Sequence, residues 1–367
     1  MFPITLPESA KKSYIDLAAT IRSGASLETI SSQCLSSSTS PDEQNNAFIY
    51  AAIIDANCNP LDAKHLERAR ELLSHAEGHP FAYFLARYLA EKGVFAPTAS
   101  AFQSRVPYDV WVATAFYKEY RTHTLKAFQQ FLAQTPPLKS DSILTICDIG
   151  PGNGILLGDI LAELFAIYPL PELRVVLLEM SPQMLEATVQ HLEERFGEKV
   201  KPVKILGRVQ DCQAMLKASA GPGYWFVMGS ASLHHLPKEG KQEIFQTLAR
   251  TTQHLVLTDF VANHDLPQLN SPELVYSVSN FYAYIIDDVW KTPTESESRK
   301  WQAIADFFLT EAIHMLTKER LERIDYHAPI ELWNQVAAAA GYHPLETTYT
   351  SFDGERPISF TTVYKRT

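Results

Sequence analysis

Two hydrophobic rhythms divide the chain. Through residues 8–95, apolar positions recur every three or four residues, the spacing that gathers side chains on one face of a helix. "SYIDLAATIRSG" stops at Gly24, and "PDEQNNAFIYAAIIDAN" opens with proline and acids, which suit a first helical turn. "LDAKHLERARELLSHAEG" sets leucines on one face and mixed charge on the other, and Pro80 opens "PFAYFLARYLAEKG". A Ser/Thr-rich stretch predicts a loop over 36–42. From residue 143 the rhythm changes. The β-rich runs "ILTICDI", "LRVVLLE", "VKILG", "YWFVMG" and "HLVLTDF" alternate with helices predicted over 155–167, 181–196 and 237–251. Such alternation predicts a parallel sheet covered on both faces. "HPLETTYTS" and "ISFTTVYKR", joined by a short turn, predict an antiparallel hairpin at the sheet edge.

The expected architecture is α/β: a doubly wound seven-stranded sheet with a C-terminal antiparallel hairpin, preceded by an all-helical N-terminal region. The expected domains are a helical region over 1–110 and an α/β domain over 111–367 with an aromatic-rich insertion at 263–327. With 367 residues, 46% of them apolar, the chain can bury its core without disulfides or metal. A formal charge of −10 argues against nucleic acid or an anionic membrane as partner, since either wants a basic surface. Cys34, Cys58, Cys147 and Cys212 are scattered and are expected to be reduced, buried thiols. No histidine cluster has metal-ligand spacing, so no metal is expected. "MFPITLPESAKK" lacks the charged and apolar regions of a secretory signal, and no apolar run reaches the ~18 residues of a membrane span. The cytoplasm is the expected compartment, and a homodimer is compatible with all of this.

"ICDIGPGNG", residues 146–154, carries the candidate chemistry. Ligands of open parallel sheets sit beyond the carboxyl ends of strands where strand order reverses, and Asp148 ends the first strand. Gly150, Gly152 and Gly154 do not fit G-x-G-x-x-G, and no Gly-Lys-Ser/Thr follows, so a phosphate cradle is not indicated. A backbone without Cβ atoms lets a ligand approach closely. A carboxylate ahead of it suits an ammonium group rather than a phosphate. Glu179 ends the second strand, where an acid can accept both hydroxyls of a ribose. Asp211, after the third, can accept an adenine amine, and the Cys212 N–H can reach a ring nitrogen. A nucleoside with a cationic, amino-acid-like tail satisfies all three acids, and S-adenosylmethionine is such a ligand.

Residues 143–262 resemble the class I S-adenosylmethionine-dependent methyltransferases of small-molecule type. "DIGPGNG" matches the family's first motif, "LLEMS" at 177–181 its ribose-binding acid and "QDCQAM" at 210–215 its adenine-side acid. "YWFVMGSASLHHLP" and "HLVLTDF" resemble its fourth and fifth strands, and "HAPIELWNQVAAAAGYHPLE" with the hairpin its ending. The resemblance implies cofactor contacts from Asp148, Gly150, Gly152, Asn153, Gly154, Glu179, Met180, Asp211, Cys212 and Gly229. Tyr224-Trp225 stands where an acid-aromatic pair is usual. Gly229-Ser230-Ala231 replaces the Asn-Pro-Pro-Tyr type of motif, which argues against methylation of adenine, cytosine or glutamine nitrogen.

His235, then His234, are the candidate general bases, since imidazole titrates near neutral pH; the pair also recurs in the family as a structural element. Tyr117 and Arg121, four residues apart on a helix over 115–128, would share a face; the resemblance implies that such a helix folds over the cofactor and contacts its methionine end, and a surface pair on an amphipathic helix is the alternative. His264, Tyr282 and Trp290 are candidates for substrate binding, His264 lying just past the fifth strand and the other two among the insertion's aromatics. Those aromatics equally suit the core of a helical subdomain. The expected activity is in-line transfer of a methyl group to an oxygen, nitrogen or carbon nucleophile of a small molecule. A scaffold or regulator without catalysis is the second reading, because the long helical lead-in is similar to that of the plant GRAS regulators and their bacterial relatives. Methylation of a protein side chain is a third.

Overall fold

A computed structural model describes residues 8–38, 40–76, 78–98, 105–135, 144–351 and 357–367. Residues 1–7, part of the 36–42 loop, Ile143 and the hairpin turn at 352–356 lie outside them. The chain divides into two compact units. Unit 1 comprises Met1–Lys118 and Ala262–Tyr326, and unit 2 comprises Glu119–Val261 and His327–Thr367.

Unit 2 holds the sheet. Its strands are β1 (Leu144–Ile149), β2 (Leu173–Glu179), β3 (Val200–Leu206), β4 (Tyr224–Ser230), β5 (Thr252–Phe260), β6 (Tyr342–Ser351) and β7 (Pro357–Arg366). The order is β3-β2-β1-β4-β5-β7-β6. β1 to β5 pair in parallel, and β7 runs antiparallel to both β5 and β6. This is the seven-stranded sheet with a terminal hairpin that the alternating pattern predicts.

β1, β2, β4 and β5 are apolar almost throughout because their crossover helices cover both faces, so no polar side is needed. The helices Ile155–Ile167, Pro182–Phe196 and Lys238–Leu248 fall within a few residues of their expected positions. Ser181 and Pro237 are caps rather than helical residues, and residues 249–251 close the last helix in a turn. The unusual Tyr224-Trp225 pair has a packing role. The Tyr224 hydroxyl donates to Leu216 O at 2.6 Å, and Trp225 packs tilted against Phe131 and edge-on against Tyr168.

Unit 1 is helical. Its helix Pro41–Cys58 is buried on every side from Asn46 to Ala56, so its apolar residues need no periodic stripe. The 262–326 segment, expected as an appendage of the sheet domain, belongs to this unit. Its helices Pro272–Lys291, Glu297–Ala303 and Leu309–Thr317, with a π-helical turn at Ile304–Phe308, dock on the N-terminal helices. The Tyr50 hydroxyl donates to Asn270 O, Asn57 Nδ2 to Leu316 O, Asn280 Nδ2 to Asn46 Oδ1 and Trp301 Nε1 to Glu91. Phe281, Tyr282 and Phe308 are core residues here. All four cysteines are free; Cys34, Cys147 and Cys212 are buried, but Cys58, at the last turn of its helix, is exposed rather than buried. Among the described residues no helix is long and apolar enough to cross a membrane.

Phe245 joins the Lys238–Leu248 helix to the C-terminal elements of unit 2. It is fully buried, with ring centroids 6.0 Å from Trp333 and 6.3 Å from both Tyr342 and Tyr364. Phe245→Ala is expected to destabilise unit 2 by about 3–5 kcal/mol through lost transfer energy and the cavity left behind. Urea unfolding followed by tryptophan fluorescence would read this, and a loss below about 1 kcal/mol would contradict the packing described.

Candidate functional site

Strand order reverses between β1 and β4, whose ends align through the pairs Asp148↔Met228 and Ile149↔Gly229. The chain leaving β1 must turn sharply into the Ile155–Ile167 helix. Gly150, Gly152 and Gly154 accomplish this with φ of +74°, +60° and +76°. A Cβ at Gly150 would stand 2.5 Å from Ser232 Cβ, and one at Gly154 would stand 2.9 Å from Thr188 Cγ2. Glycine is therefore required there for both conformation and space. The loop is pinned from outside. Thr188 Oγ1 donates to Gly152 O at 2.7 Å, the Gly150 N–H donates to Leu178 O at 2.8 Å, and Asn153 Oδ1 accepts from the Ile155 N–H at 3.2 Å.

Two buried acids flank this loop. Glu179 Oε1 accepts the Ser181 N–H at 2.9 Å and Oε2 the Gly152 N–H at 3.4 Å. Burial raises its carboxyl above the usual range, while the backbone N–H groups and the His235 imidazole pull it back. Asp148 is deeper, and its Oδ1 is enclosed without a hydrogen-bond partner. Burial first, and then the neighbouring Glu179, push it well above the carboxylate range. Met180 is half-exposed. Asp211 is exposed, and the Cys212 N–H donates to Arg208 O at 3.1 Å, so an adenine nitrogen would have to share that donor. Gly229 faces the Leu233 side chain, which a Cβ would approach to 3.0 Å.

Behind β4 the 3-10 turn Leu233–His235 presents both candidate bases. His234 is buried with Nδ1 2.9 Å from Asp259 Oδ1, and burial followed by the nearby His327 lowers its pKa to about 4. Burial favours a neutral Asp259, but His234 and His327 outweigh it and hold the carboxyl well below its usual range. His235 is half-buried, its ring 4.4 Å from that of His234.

Residues 126–328, more than half of the chain, match a family model described as "Putative S-adenosyl-L-methionine-dependent methyltransferase". The chain belongs to this family. Its cofactor is S-adenosylmethionine, and the site fits that molecule: a loop with three glycines in left-handed conformation, a carboxyl at each of the two adjoining strand ends, and an unsatisfied buried acceptor on Asp148. No curated protein matches the sequence. Among solved structures, SCL7 from Oryza sativa aligns with a TM-score of 0.64 at 14% identity, covering 89% of this chain and 100% of its own, a likeness of fold. Magnesium protoporphyrin IX methyltransferase from Synechocystis PCC 6803 with bound SAH aligns at 0.40 and 14%, covering 68% and 84%. The cyclopropane synthase MmaA2 from Mycobacterium tuberculosis aligns at 0.36 and 12%, covering 61% and 62%.

Other sequence candidates are dispersed. Tyr117 is buried with its ring against Trp111 in unit 1. Arg121, one turn on, pairs with Asp159 at 3.1 Å in unit 2, and Asp159 also pairs with Arg195. In unit 1 the rings of His264 and Tyr282 stack at 6.4 Å, and the Tyr282 hydroxyl donates to the buried Glu311 at 3.2 Å. Trp290 is not with them; its ring packs on Phe84 at 5.1 Å. Sequence reasoning missed Tyr120, whose hydroxyl meets Ser230 Oγ at 2.7 Å at the end of β4, and it missed His327. The first was detectable as the residue between two chosen ones, whereas nothing in its local sequence marks His327.

Asp148 supplies a test of the buried acids. In an unfolded chain its carboxyl ionises near about pH 3.9, but in the fold it resists ionisation to much higher pH. The raised folded value places full stability below the unfolded pKa and a growing penalty as pH rises. Asp148→Asn has no proton to lose. It is expected to melt at or above the wild type at about pH 8, with that advantage shrinking toward about pH 4, and to bind S-adenosylmethionine more weakly. Melts across that range check the sign; a wild-type advantage that grows with pH would contradict it.

Proposed function

We propose that the protein transfers a methyl group from S-adenosylmethionine to an oxygen, nitrogen or carbon nucleophile of a small molecule. The observation that carries this is the pairing of two buried carboxyls, Asp148 and Glu179, at adjacent strand ends around three left-handed glycines. Glu179 would hold the ribose hydroxyls, Asp211 and Cys212 the adenine edge, and Asp148 with the glycine backbone the amino-acid end. The cofactor supplies a methyl group on a sulfonium leaving group, so the chain's own residues are left to bind, align and exclude water.

His235 is our candidate to accept a proton from an acceptor that must lose one. It is half-buried, and its electrostatic influence on the Glu179 carboxyl supports this reading. His234 is committed to Asp259 and, with its pKa lowered to about 4, is neutral across the physiological range.

Calorimetric titration of S-adenosylmethionine and S-adenosylhomocysteine into the wild type and Glu179→Ala tests the reading. Losing the charge-assisted ribose contact is expected to weaken binding about ten- to a hundredfold. Failure of well-folded wild type to bind either ligand would overturn the proposal and favour a scaffold without catalysis.

A further inference from the structure

His234, Asp259 and His327 come from three separate parts of unit 2. His234 follows β4, Asp259 is the penultimate residue of β5, and His327 is the first residue after the chain returns from unit 1. His234 Nδ1 lies 2.9 Å and His327 Nδ1 3.4 Å from the same oxygen, Asp259 Oδ1. The two imidazole centroids are 4.0 Å apart, and all three side chains are more than nine-tenths buried. The Phe260 N–H also donates to Asp259 Oδ1, at 2.8 Å, which fixes the carboxylate plane. Asp259 Oδ2 is enclosed without a hydrogen-bond partner.

Two imidazoles and a carboxylate, with no sulfur, form a donor set that selects divalent transition metals over magnesium or calcium. Donor atoms about 2.0–2.1 Å from a shared ion, at angles between square and tetrahedral, stand about 2.8–3.4 Å from one another. The two separations to Asp259 fall in that range, and the potential ligand atoms of all three residues lie within 4.8 Å of one another. The backbone N–H on Asp259 is the kind of outer contact that orients a metal-bound carboxylate. A positive ion would also compensate a carboxylate enclosed this deeply.

We propose that His234, Asp259 and His327 bind a single divalent transition-metal ion, zinc being the simplest occupant. The site shares no residue with the proposed cofactor contacts, and its test reads metal, not methyl transfer. Full-length protein is stripped with a chelator and titrated with Zn2+ by calorimetry, then with Co2+ as a spectroscopic probe. One equivalent of each is expected to bind, with visible cobalt bands. Asp259→Asn and His327→Gln, checked for native circular dichroism, are each expected to weaken Zn2+ binding at least about tenfold. His327→Cys keeps a metal ligand and is expected to retain binding with a new thiolate-to-cobalt charge-transfer band. Absence of binding by the wild type, equal affinity in Asp259→Asn and His327→Gln, or a cobalt spectrum of His327→Cys without the thiolate band would overturn the proposal. The three residues would then be a hydrogen-bonded cluster only.

Discussion

The position of β1 between two parallel neighbours, β2 and β4, governs the chemistry of unit 2. Crossovers leave β1 toward β2 on one side and arrive at β4 on the other, the topology that in open parallel sheets sets a crevice at the carboxyl ends of the strands. A chain entering that crevice must reverse within a few residues. The three left-handed glycines meet this demand, and Ser232 and Thr188 crowd the turn so closely that larger residues have no room. Asp148 and Glu179 are buried there because the register Asp148↔Leu177 places β1 and β2 level, so both acids end in the same recess. The recess therefore combines open backbone with desolvated carboxyls whose ionisation burial opposes. That combination destabilises the chain alone and becomes favourable when a cationic, hydroxyl-bearing ligand occupies it.

Much of this was legible in the sequence because it is written locally. Period-two and period-3.6 patterns marked the strands and helices, and the glycines and the acids Asp148, Glu179 and Asp211 each sit beside a strand end that the pattern itself locates. What was not legible depends on tertiary contact. The insertion's membership of unit 1 rests on bonds such as Tyr50 to Asn270 and Glu91 to Trp301, between segments some two hundred residues apart. Trp290 was singled out by composition alone, and its ring's contact with Phe84 is a tertiary one that composition does not show. Cys58 sits at a helix end, where the buried face of Pro41–Cys58 runs out. His327 has no local signature, since its meaning comes from Asp259 and His234.

The histidine pair shows how burial can separate neighbours. His234 and His235 are adjacent in sequence and their rings nearly touch, but one points into the protein against Asp259 and the other stays half-buried. Desolvation therefore acts strongly on the first. Two residues of one type, one peptide apart, are thereby given different work.

The chain leaves unit 2 after Val261 and re-enters at His327, and Asp259 and His327 approach within 3.4 Å. The gap in the sheet unit's sequence is thus bridged in space by side chains of that unit itself. Closing a loop of that length costs free energy that rises only with the logarithm of its length. The sheet unit can therefore accept guests of very different size at this one doorway without moving β5 or the C-terminal helix and hairpin. Such a port lets a fixed cofactor-binding frame acquire new neighbouring modules by exchange of the segment between its two jambs.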